Sequence, residues 1–189
     1  MNRRARLIVL SGPSGVGKTT ICKKILEKHS DVLYSISATS RAKRRGEKNG
    51  REYIFLQEKE FKEWIDNGLF IEYAVVHDKF YGTPKQYLEE NLNKGYYVLM
   101  DVDVKGAKTL MKSYPDGIYF FIVPPDFVEL EKRLLKRNTE KNEAIKNRLA
   151  RALEELKYKD DYKYIIENRV LEETVKQILS IIEKEINPG

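Results

Sequence analysis

The sequence has a single cysteine, Cys22, and no apolar run near the roughly 20 residues needed to cross a bilayer. A lone cysteine excludes an internal disulfide framework and is typical of a reducing compartment. The basic amino terminus precedes a short apolar run at 7–10, which is too brief for a secretory signal. We therefore expect a cytoplasmic protein without a membrane segment, in which Cys22 is a buried core residue.

Repeats, low-complexity segments and linkers rich in proline, glycine or serine are also missing, so the 189 residues predict one domain. The formal net charge of +6 attracts anions, but it does not separate nucleic acid, membrane and phosphorylated small molecules as partners. No recognisable nucleic-acid-binding motif or aromatic stacking signature is present. We therefore expect small-molecule substrates and no nucleic acid, and the oligomeric state is left open.

Apolar strands alternate with helical patterns along most of the chain, which predicts an α/β fold with a mostly parallel sheet. Helices are predicted at 18–28 and 172–186, the second with an apolar stripe suited to core packing. The predicted buried strands are 7–10, 96–100, 118–123 and 164–166.

Residues 34–82 have a different pattern, which predicts a small mixed insertion in the parallel core. Strands are expected at 51–56 and 69–76, with a helix at 58–67 that Gly68 closes. The segment after it, Thr83-Pro84-Lys85-Gln86, has the form of a capping box with proline at the first helical position. Two charged helices around 126–158 indicate a mobile flap.

The strongest motif is the segment Gly12-Pro13-Ser14-Gly15-Val16-Gly17-Lys18-Thr19, which fits G-x-x-x-x-G-K-[ST] in full. It lies between a predicted strand and a predicted helix. There, glycines let backbone N–H groups turn inward around a phosphate, and the helix terminus adds positive charge. We expect Lys18 to reach the β- and γ-phosphates of a nucleotide and the Thr19 hydroxyl to help hold Mg²⁺. The alternative is a chance match in a glycine-rich turn.

Asp101 ends the predicted strand that begins at Tyr96. In this fold class an aspartate beside the phosphate loop serves Mg²⁺ or its water shell, so Asp101 is a candidate metal or substrate ligand, as is Asp103. Aspartate is also common at strand ends that have no function. Triphosphate binding does not identify a reaction, because GTPase switches, motor ATPases and small-molecule kinases share it.

A second candidate site combines three arginines and a lysine within 41–45 with Tyr53, Glu72 and Tyr81. Arginine forks and tyrosine hydroxyls suit a monophosphate clamp. A carboxylate would repel the phosphate, so Glu72 is expected to face something else. Guanine presents N1–H and N2–H₂ together to one carboxylate, and adenine lacks that pair of donors. The alternatives are a solvated arginine loop, a nucleic-acid patch and a surface position for Glu72.

These features together resemble the guanylate kinase family, from near Leu7 to about residue 185. The residues that carry the resemblance are Ser11 to Thr20, Ser35 to Arg41, Arg44, Gly46, Glu47, Asn49, Gly50, Tyr53, Phe70 to Glu72, Tyr81 to Thr83, Asp101 to Asp103 and Gly106. The resemblance implies that the loop through Thr20 binds ATP and that Asp101 lies between the two nucleotides, near Mg²⁺ and GMP. The other implied GMP contacts are Arg41, Arg44, Tyr53 and Tyr81 to the phosphate, Glu72, Ser37 and Thr83 to the guanine, and Asp103.

The resemblance extends to the two charged helices, where 130–137 and 147–149 match a lid. It implies that Arg133, Arg137 and Arg148 approach the ATP phosphates and that Asn168 lines the adenine pocket. The chain departs from the family pattern at five places. It lacks a proline near Lys43, it has Lys105, Asn138 and Arg169 where glutamine, glycine and aspartate are common, and Thr83 replaces a serine but keeps the hydroxyl. None of these departures removes an expected phosphate or guanine contact.

The implied fold is the P-loop nucleoside monophosphate kinase fold, with a parallel five-stranded core sheet flanked by helices. We expect one domain over 1–189, divided into a core (1–33, 84–125 and 159–189), a GMP-binding region (34–83) and a lid (126–158).

The implied reaction is ATP-dependent phosphorylation of GMP, and of dGMP, in purine nucleotide metabolism, with Mg²⁺ as cofactor. Lys18, Arg41, Arg133 and Arg148 would surround the transferring group, and no general base is needed because the attacking phosphate oxygen is already anionic. One alternative is a kinase of another small phosphorylated substrate, such as a ribose bisphosphate. Another is a non-catalytic module that binds phosphorylated proteins. The complete phosphate loop favours a kinase, and Glu72 with Ser37 and Thr83 favours guanine.

Overall fold

The computed structural model describes residues 5–76, 78–136 and 142–186. The strands are β1 (Leu7–Ser11), β2 (Val32–Tyr34), β3 (Ala38–Thr39), β4 (Ile54–Phe55), β5 (Phe70–Val76), β6 (Lys79–Pro84), β7 (Tyr97–Asp101), β8 (Ile118–Val123) and β9 (Tyr164–Glu167). The α-helices are α1 (Lys18–Leu26), α2 (Glu58–Asp66), α3 (Lys85–Asn93), α4 (Val104–Ser113), α5 (Phe127–Lys136), α6 (Asn142–Leu156) and α7 (Leu171–Ile186). A short 3₁₀ turn, Lys159–Asp161, precedes β9.

Five strands form the parallel core sheet that the sequence predicts, in the order β2-β7-β1-β8-β9. The central strand β1 is buried on both faces, as its unbroken apolar sequence requires. Its alternating side chains divide the core between two layers. Ile8 and Leu10 pack in the layer that holds α1 and α7, whereas Leu7 and Val9 pack in the layer that holds α3 and α4.

The carboxyl-terminal helix α7 confirms the predicted apolar stripe. Val175, Ile178 and Ile182 are buried in the core, and Leu179 and Ile186 are partly buried against it. Cys22 is also buried, as expected, on the inner face of α1. Among the described residues, we find no helix that combines the length and the apolar character needed to cross a bilayer.

The second sheet is mixed, as predicted, and has the order β4-β3-β6-β5. Strands β3 and β4 are parallel, whereas β6 runs antiparallel to both β3 and β5. Its small core forms around Phe61 of α2, whose ring centroid lies 4.4 Å from that of Phe70 and 5.3 Å from that of Phe80. This aromatic stack lets a four-stranded sheet of short strands hold its shape beside the main core.

Several predicted boundaries differ from the structure. Helix α1 ends at Leu26 instead of residue 28, and the strand expected over 51–56 is reduced to the two residues of β4. The predicted capping box is wrong: Thr83 belongs to β6, Pro84 precedes α3, and no side chain caps that helix. The Thr83 hydroxyl instead donates to Glu72 across the β5–β6 hairpin, and this tertiary contact replaces the local cap.

Candidate active site

The predicted phosphate loop connects β1 to α1, and its shape depends on glycine. Gly12, Gly15 and Gly17 have φ angles of 126°, 91° and 99°, in the region that residues with a Cβ rarely adopt. A Cβ on Gly12 would lie 2.3 Å from the backbone oxygen of Ile122. The loop therefore lies directly against β8, and the α1 N-terminus offers its unpaired N–H groups to an anion.

Lys18 begins α1 and folds back over the loop. Its ammonium donates to the backbone oxygens of Gly12, at 2.5 Å, and Pro13, at 3.2 Å. Burial lowers the pKa of Lys18, while the nearby Asp101 carboxylate opposes that shift. The ammonium thus rests on two neutral carbonyl groups, and a negatively charged phosphate would be a stronger partner for it.

Some of the other loop residues are buried in the core, and others are exposed to solvent. Val16 is a fully buried core residue and Pro13 is also buried, whereas Thr19 and Thr20 are exposed on the first turn of α1. Thr19 donates its hydroxyl to Asp101, with the two oxygens 2.9 Å apart. The structure thus brings together the two residues that the sequence nominates for the metal.

Asp101 and Asp103 lie at the carboxyl end of β7 but differ in their contacts. Asp101 accepts hydrogen bonds from Thr19 and from the Tyr34 hydroxyl. Asp103 is the N-cap of α4 and accepts from the backbone N–H of Gly106 at 2.7 Å. The Asp103 carboxylate therefore has a structural partner in addition to its place in the cleft.

Glu72 lies on β5, with its carboxylate largely shielded from water. It accepts from the Thr83 hydroxyl at 2.5 Å, and its Oε2 faces Gly106 so closely that a Cβ there would come within 2.7 Å. Burial raises the pKa of Glu72 to about 7, against the lowering effect of the Thr83 hydrogen bond. Neither contact supplies a cation, so the carboxylate has unused acceptor capacity for a ligand.

Arg41, in the basic loop formed by residues 41–45, is paired with Glu47. Its guanidinium forms two hydrogen bonds with the Glu47 carboxylate, at 2.9 and 3.0 Å, and lies 5.3 Å from the centre of the Tyr53 ring. Tyr53 and Tyr81 meet edge to face, with ring centroids 5.8 Å apart. Arg44 is exposed, and its backbone N–H donates to Glu47. Three of the four expected phosphate-binding side chains, Arg41, Tyr53 and Tyr81, are thus grouped together, with Tyr53 just before β4 and Tyr81 on β6. The fourth, Arg44, is exposed on the loop.

Two of the three arginines expected in the lid contact other elements from α5 and α6. Arg148 on α6 donates to the Ser14 hydroxyl at 2.8 Å. Arg133 on α5 pairs with Glu129, at 2.8 Å, and donates to the backbone oxygen of Asn168, at 3.0 Å. Arg137 lies outside the described residues, as does Asn138.

Asn168 is buried beneath the phosphate loop. Its side-chain amide donates to the Val16 backbone oxygen at 2.7 Å, and its side-chain oxygen accepts from Thr174 at 3.2 Å. The amide nitrogen also lies 2.6 Å from the position of a Cβ on Gly17. The side chain therefore supports the loop from below, a contact that the sequence does not reveal.

One cleft of about 280 Å³ joins the two sites. Its lining includes loop residues through Thr19, the aspartates of β7, and Ser37, Tyr53, Glu72 and Tyr81 from the mixed sheet. A volume of this size is close to the lower end of the range for small-molecule sites.

Two further lining residues, Tyr34 and Glu155, were not predicted. Glu155 extends from α6 toward Lys18, and burial raises its pKa. Its Oε2 is shielded from solvent and has no hydrogen-bond partner among the described residues. Neither residue belongs to a sequence motif, so only their position in the fold reveals them.

Comparison with known proteins gives consistent matches. The guanylate kinase family model matches residues 4–185. A guanylate kinase of Caldanaerobacter subterraneus subsp. tengcongensis is 43% identical over 182 residues, which cover 96% of this chain and 88% of the relative. A guanylate kinase of Prochlorococcus marinus (strain MIT 9312) is 43% identical over 183 residues, covering 97% of this chain and 100% of the relative.

Solved structures give the same picture at the level of the fold. The crystal structure of guanylate kinase from Anaplasma phagocytophilum superposes with a TM-score of 0.82 at 34% identity, covering 97% of this chain and 87% of that one. A gluconokinase from Sinorhizobium meliloti 1021 has a TM-score of 0.54 at 16% identity, covering 98% of this chain and 95% of that one. The second likeness shows a shared fold alone.

Proposed function

The chain belongs to the guanylate kinase family, and we propose that it transfers the γ-phosphoryl group of ATP to GMP, and to dGMP, in purine nucleotide metabolism. One observation carries the proposal: the phosphate loop and the largely shielded Glu72 carboxylate line the same cleft. A donor nucleotide on the loop and a guanine at Glu72 would place their phosphates between the two ends.

Guanine recognition is assigned to Glu72, with Ser37 and Thr83 beside it. The Thr83 hydroxyl occupies one side of the carboxylate, and the remaining lone pairs are available to the N1–H and N2–H₂ groups of guanine. A base without these donors would leave a buried carboxylate unsatisfied, which is a strong basis for rejection. We assign Asp103 to the GMP side of the cleft and Asp101 to a place between the two nucleotides, and both residues line the cleft.

The GMP phosphate is assigned to Arg41, Arg44, Tyr53 and Tyr81. In the structure Arg41 is bound to Glu47, so the arriving phosphate replaces one set of charge-assisted hydrogen bonds with another. The exposed Arg44 side chain closes on the phosphate from the loop. The pairing with Glu47 keeps Arg41 oriented before the substrate binds.

The donor site uses the loop from Gly12 to Thr20. Its residues also fit a magnesium ion: Thr19 would hold it directly, and Asp101 would hold it through water. Mg²⁺ usually takes few protein oxygens and completes its shell with phosphates and waters, so the site does not need the larger ligand cluster, which we do not find among the described residues. When bound, the ion would neutralise charge on the β- and γ-phosphates.

The transfer is assigned to positioning and charge. Lys18, Arg41, Arg133 and Arg148 would surround the transferring group, and Arg137 would join them from the lid. The regions 34–83 and 126–158 would close over the core and exclude water, which would otherwise compete as acceptor. Asn168 is assigned to the adenine end, beneath the loop that it supports.

A coupled assay for ADP formation tests the proposal, with Mg·ATP and each of GMP, dGMP, IMP, AMP, UMP, CMP and TMP. We expect turnover with GMP and dGMP, and at least about tenfold lower kcat/KM with IMP, which lacks the 2-amino group. Turnover with AMP instead of GMP would contradict the guanine site. Turnover with none of them, despite ATP binding, would favour another small substrate or a phosphoprotein-binding module.

Two variants in the same helix provide the control. Lys18→Ala is expected to abolish transfer, because it removes the charge at the phosphate loop. Lys23→Ala lies on the exposed face of α1 and is expected to leave kcat and both KM values unchanged. Normal transfer by Lys18→Ala would rule out the proposed chemistry.

A further inference from the structure

Tyr34 lines the cleft, yet none of the assignments above uses it. It ends β2, the edge strand of the core sheet, and pairs in parallel register with Leu99 on β7. This register brings the phenol to the carboxyl end of β7, where Asp101 lies. The two residues are 67 positions apart, so the sheet alone makes them neighbours.

Both oxygens of the Asp101 carboxylate are held, each by a different hydroxyl group. Oδ2 accepts from Thr19 at 2.9 Å, and Oδ1 accepts from Tyr34. A carboxylate bound at one oxygen can still rotate about its Cβ–Cγ bond, whereas one bound at both has a fixed plane.

We propose that Tyr34 is a positioning residue for the magnesium–nucleotide complex, which it orients through Asp101 and Thr19. A threonine hydroxyl has one proton and two lone pairs. Because Thr19 donates its proton to Asp101, its lone pairs are left to face a cation at the phosphate loop. Tyr34 keeps Asp101 in the orientation that holds the Thr19 hydroxyl in this way.

The inference rests on the proposed function only in placing a magnesium–nucleotide complex at this loop. Removing a residue that hydrogen-bonds to a metal ligand typically changes metal affinity by 10- to 100-fold. Tyr34→Phe deletes the hydroxyl and keeps the ring, which packs against the core cluster that holds β2 and α1. The variant is therefore expected to fold, with a melting temperature lowered only by the loss of this one hydrogen bond.

The test is calorimetric titration with β,γ-imido-ATP, in MgCl₂ and separately in EDTA, without GMP. We expect Tyr34→Phe to weaken binding in MgCl₂ about tenfold, equal to about 1.4 kcal/mol, and to leave binding in EDTA unchanged. Tyr73→Phe, at an exposed position of β5, is the matched control and is expected to match the wild type in both buffers.

A second pair of variants separates direct from indirect action. In an Asp101→Ala background, Tyr34→Phe is expected to have no further effect, because the residue through which it acts is gone. Equal weakening in MgCl₂ and EDTA would overturn the proposal, as would an undiminished effect without Asp101. Since GMP is absent throughout, inactivity toward GMP would refute the proposed reaction and leave this result standing.

Discussion

Glu72 packs directly against Gly106: the Glu72 Oε2 atom lies 2.7 Å from where a Cβ on Gly106 would be. Gly106 is on α4, and its φ angle is not in the left-handed region. The backbone therefore does not require glycine here, and alanine would favour the helix by up to about 1 kcal/mol. The space that the Glu72 carboxylate occupies is what excludes a side chain.

Gly106→Ala is accordingly expected to weaken the binding of GMP and to leave the binding of ATP unchanged. The added methyl group displaces the Glu72 carboxylate, so KM for GMP should rise about tenfold, while KM for ATP stays the same. The free energy of unfolding should stay unchanged or increase. Steady-state kinetics and urea unfolding check these values, with the exposed neighbour Lys105→Ala as the control. A rise in both KM values would mean that α4 itself had moved.

GMP binding is expected to depend on pH through Glu72. The pKa of Glu72 is raised to about 7, first by burial, and only the ionised carboxylate accepts from both guanine donors. Affinity should thus fall as the pH drops through 7, with KM for GMP rising about tenfold between pH 8 and pH 6. The GMP phosphate itself titrates near pH 6.

Glu72→Gln separates the two ionisations. The amide does not titrate, so the variant should bind GMP weakly and keep only the pH dependence of the phosphate. Profiles of KM against pH for the wild type and the variant provide the comparison. Identical slopes between pH 8 and pH 6 would show that the Glu72 carboxylate stays ionised throughout this range.

The phosphate loop could be predicted from the sequence because its information is local. The three glycines with positive φ and Lys18 all lie within seven positions, between a strand and a helix that the pattern also predicts. The alternation in β5 likewise placed Glu72 on a strand. These features need no knowledge of which distant elements meet.

Contacts between distant elements were not predictable in the same way. Tyr34 meets Asp101 only because the three-residue strand β2 pairs with β7, and β2 is too short for a periodic signal. For Thr83 the prediction from the sequence is wrong. Its local pattern predicts a helix cap, whereas the β5–β6 pairing directs its hydroxyl to Glu72. In both cases tertiary pairing determines the partner.

Asn168→Ala is expected to weaken the phosphate loop. The substitution leaves the Val16 backbone oxygen without the amide donor that holds it at 2.7 Å. Loss of a buried partner of this kind costs about 1–3 kcal/mol in the free energy of unfolding. Urea unfolding measures this loss, and Asn93→Ala, exposed at the end of α3, is the control.

The same variant tests whether Asn168 also reads adenine. If Asn168 only supports the loop, KM should rise by the same factor for ATP and for GTP as phosphoryl donors. A role in adenine recognition predicts instead that the ratio of the two KM values changes. The two roles are thus separated by one comparison of donors.

A charged cluster around Glu185 joins α7 to the residue before β1 and to the start of β9. Glu185 on α7 accepts from Lys163, Tyr164 and Arg6, with nitrogen–oxygen distances of 2.5 Å to Lys163 and 2.9 Å to Arg6. These partners, Lys163 first, lower the pKa of Glu185 to about 2, against an ordinary value of 4.5. Because the folded-state pKa is the lower one, ionised Glu185 stabilises the fold above about pH 4.5, and this contribution is lost as the pH falls toward 2.

Glu185→Gln is therefore expected to lower the free energy of unfolding by about 1–2 kcal/mol at pH 7, a value reduced for the exposure of Lys163 to solvent. The difference from the wild type should shrink between pH 4.5 and pH 2, where the wild-type carboxyl also becomes protonated. Urea unfolding at several pH values measures it, with the exposed Glu183→Gln of the same helix as the control. A difference of constant size across this range would assign the loss to packing of the amide, because lost charge must follow the titration of Glu185.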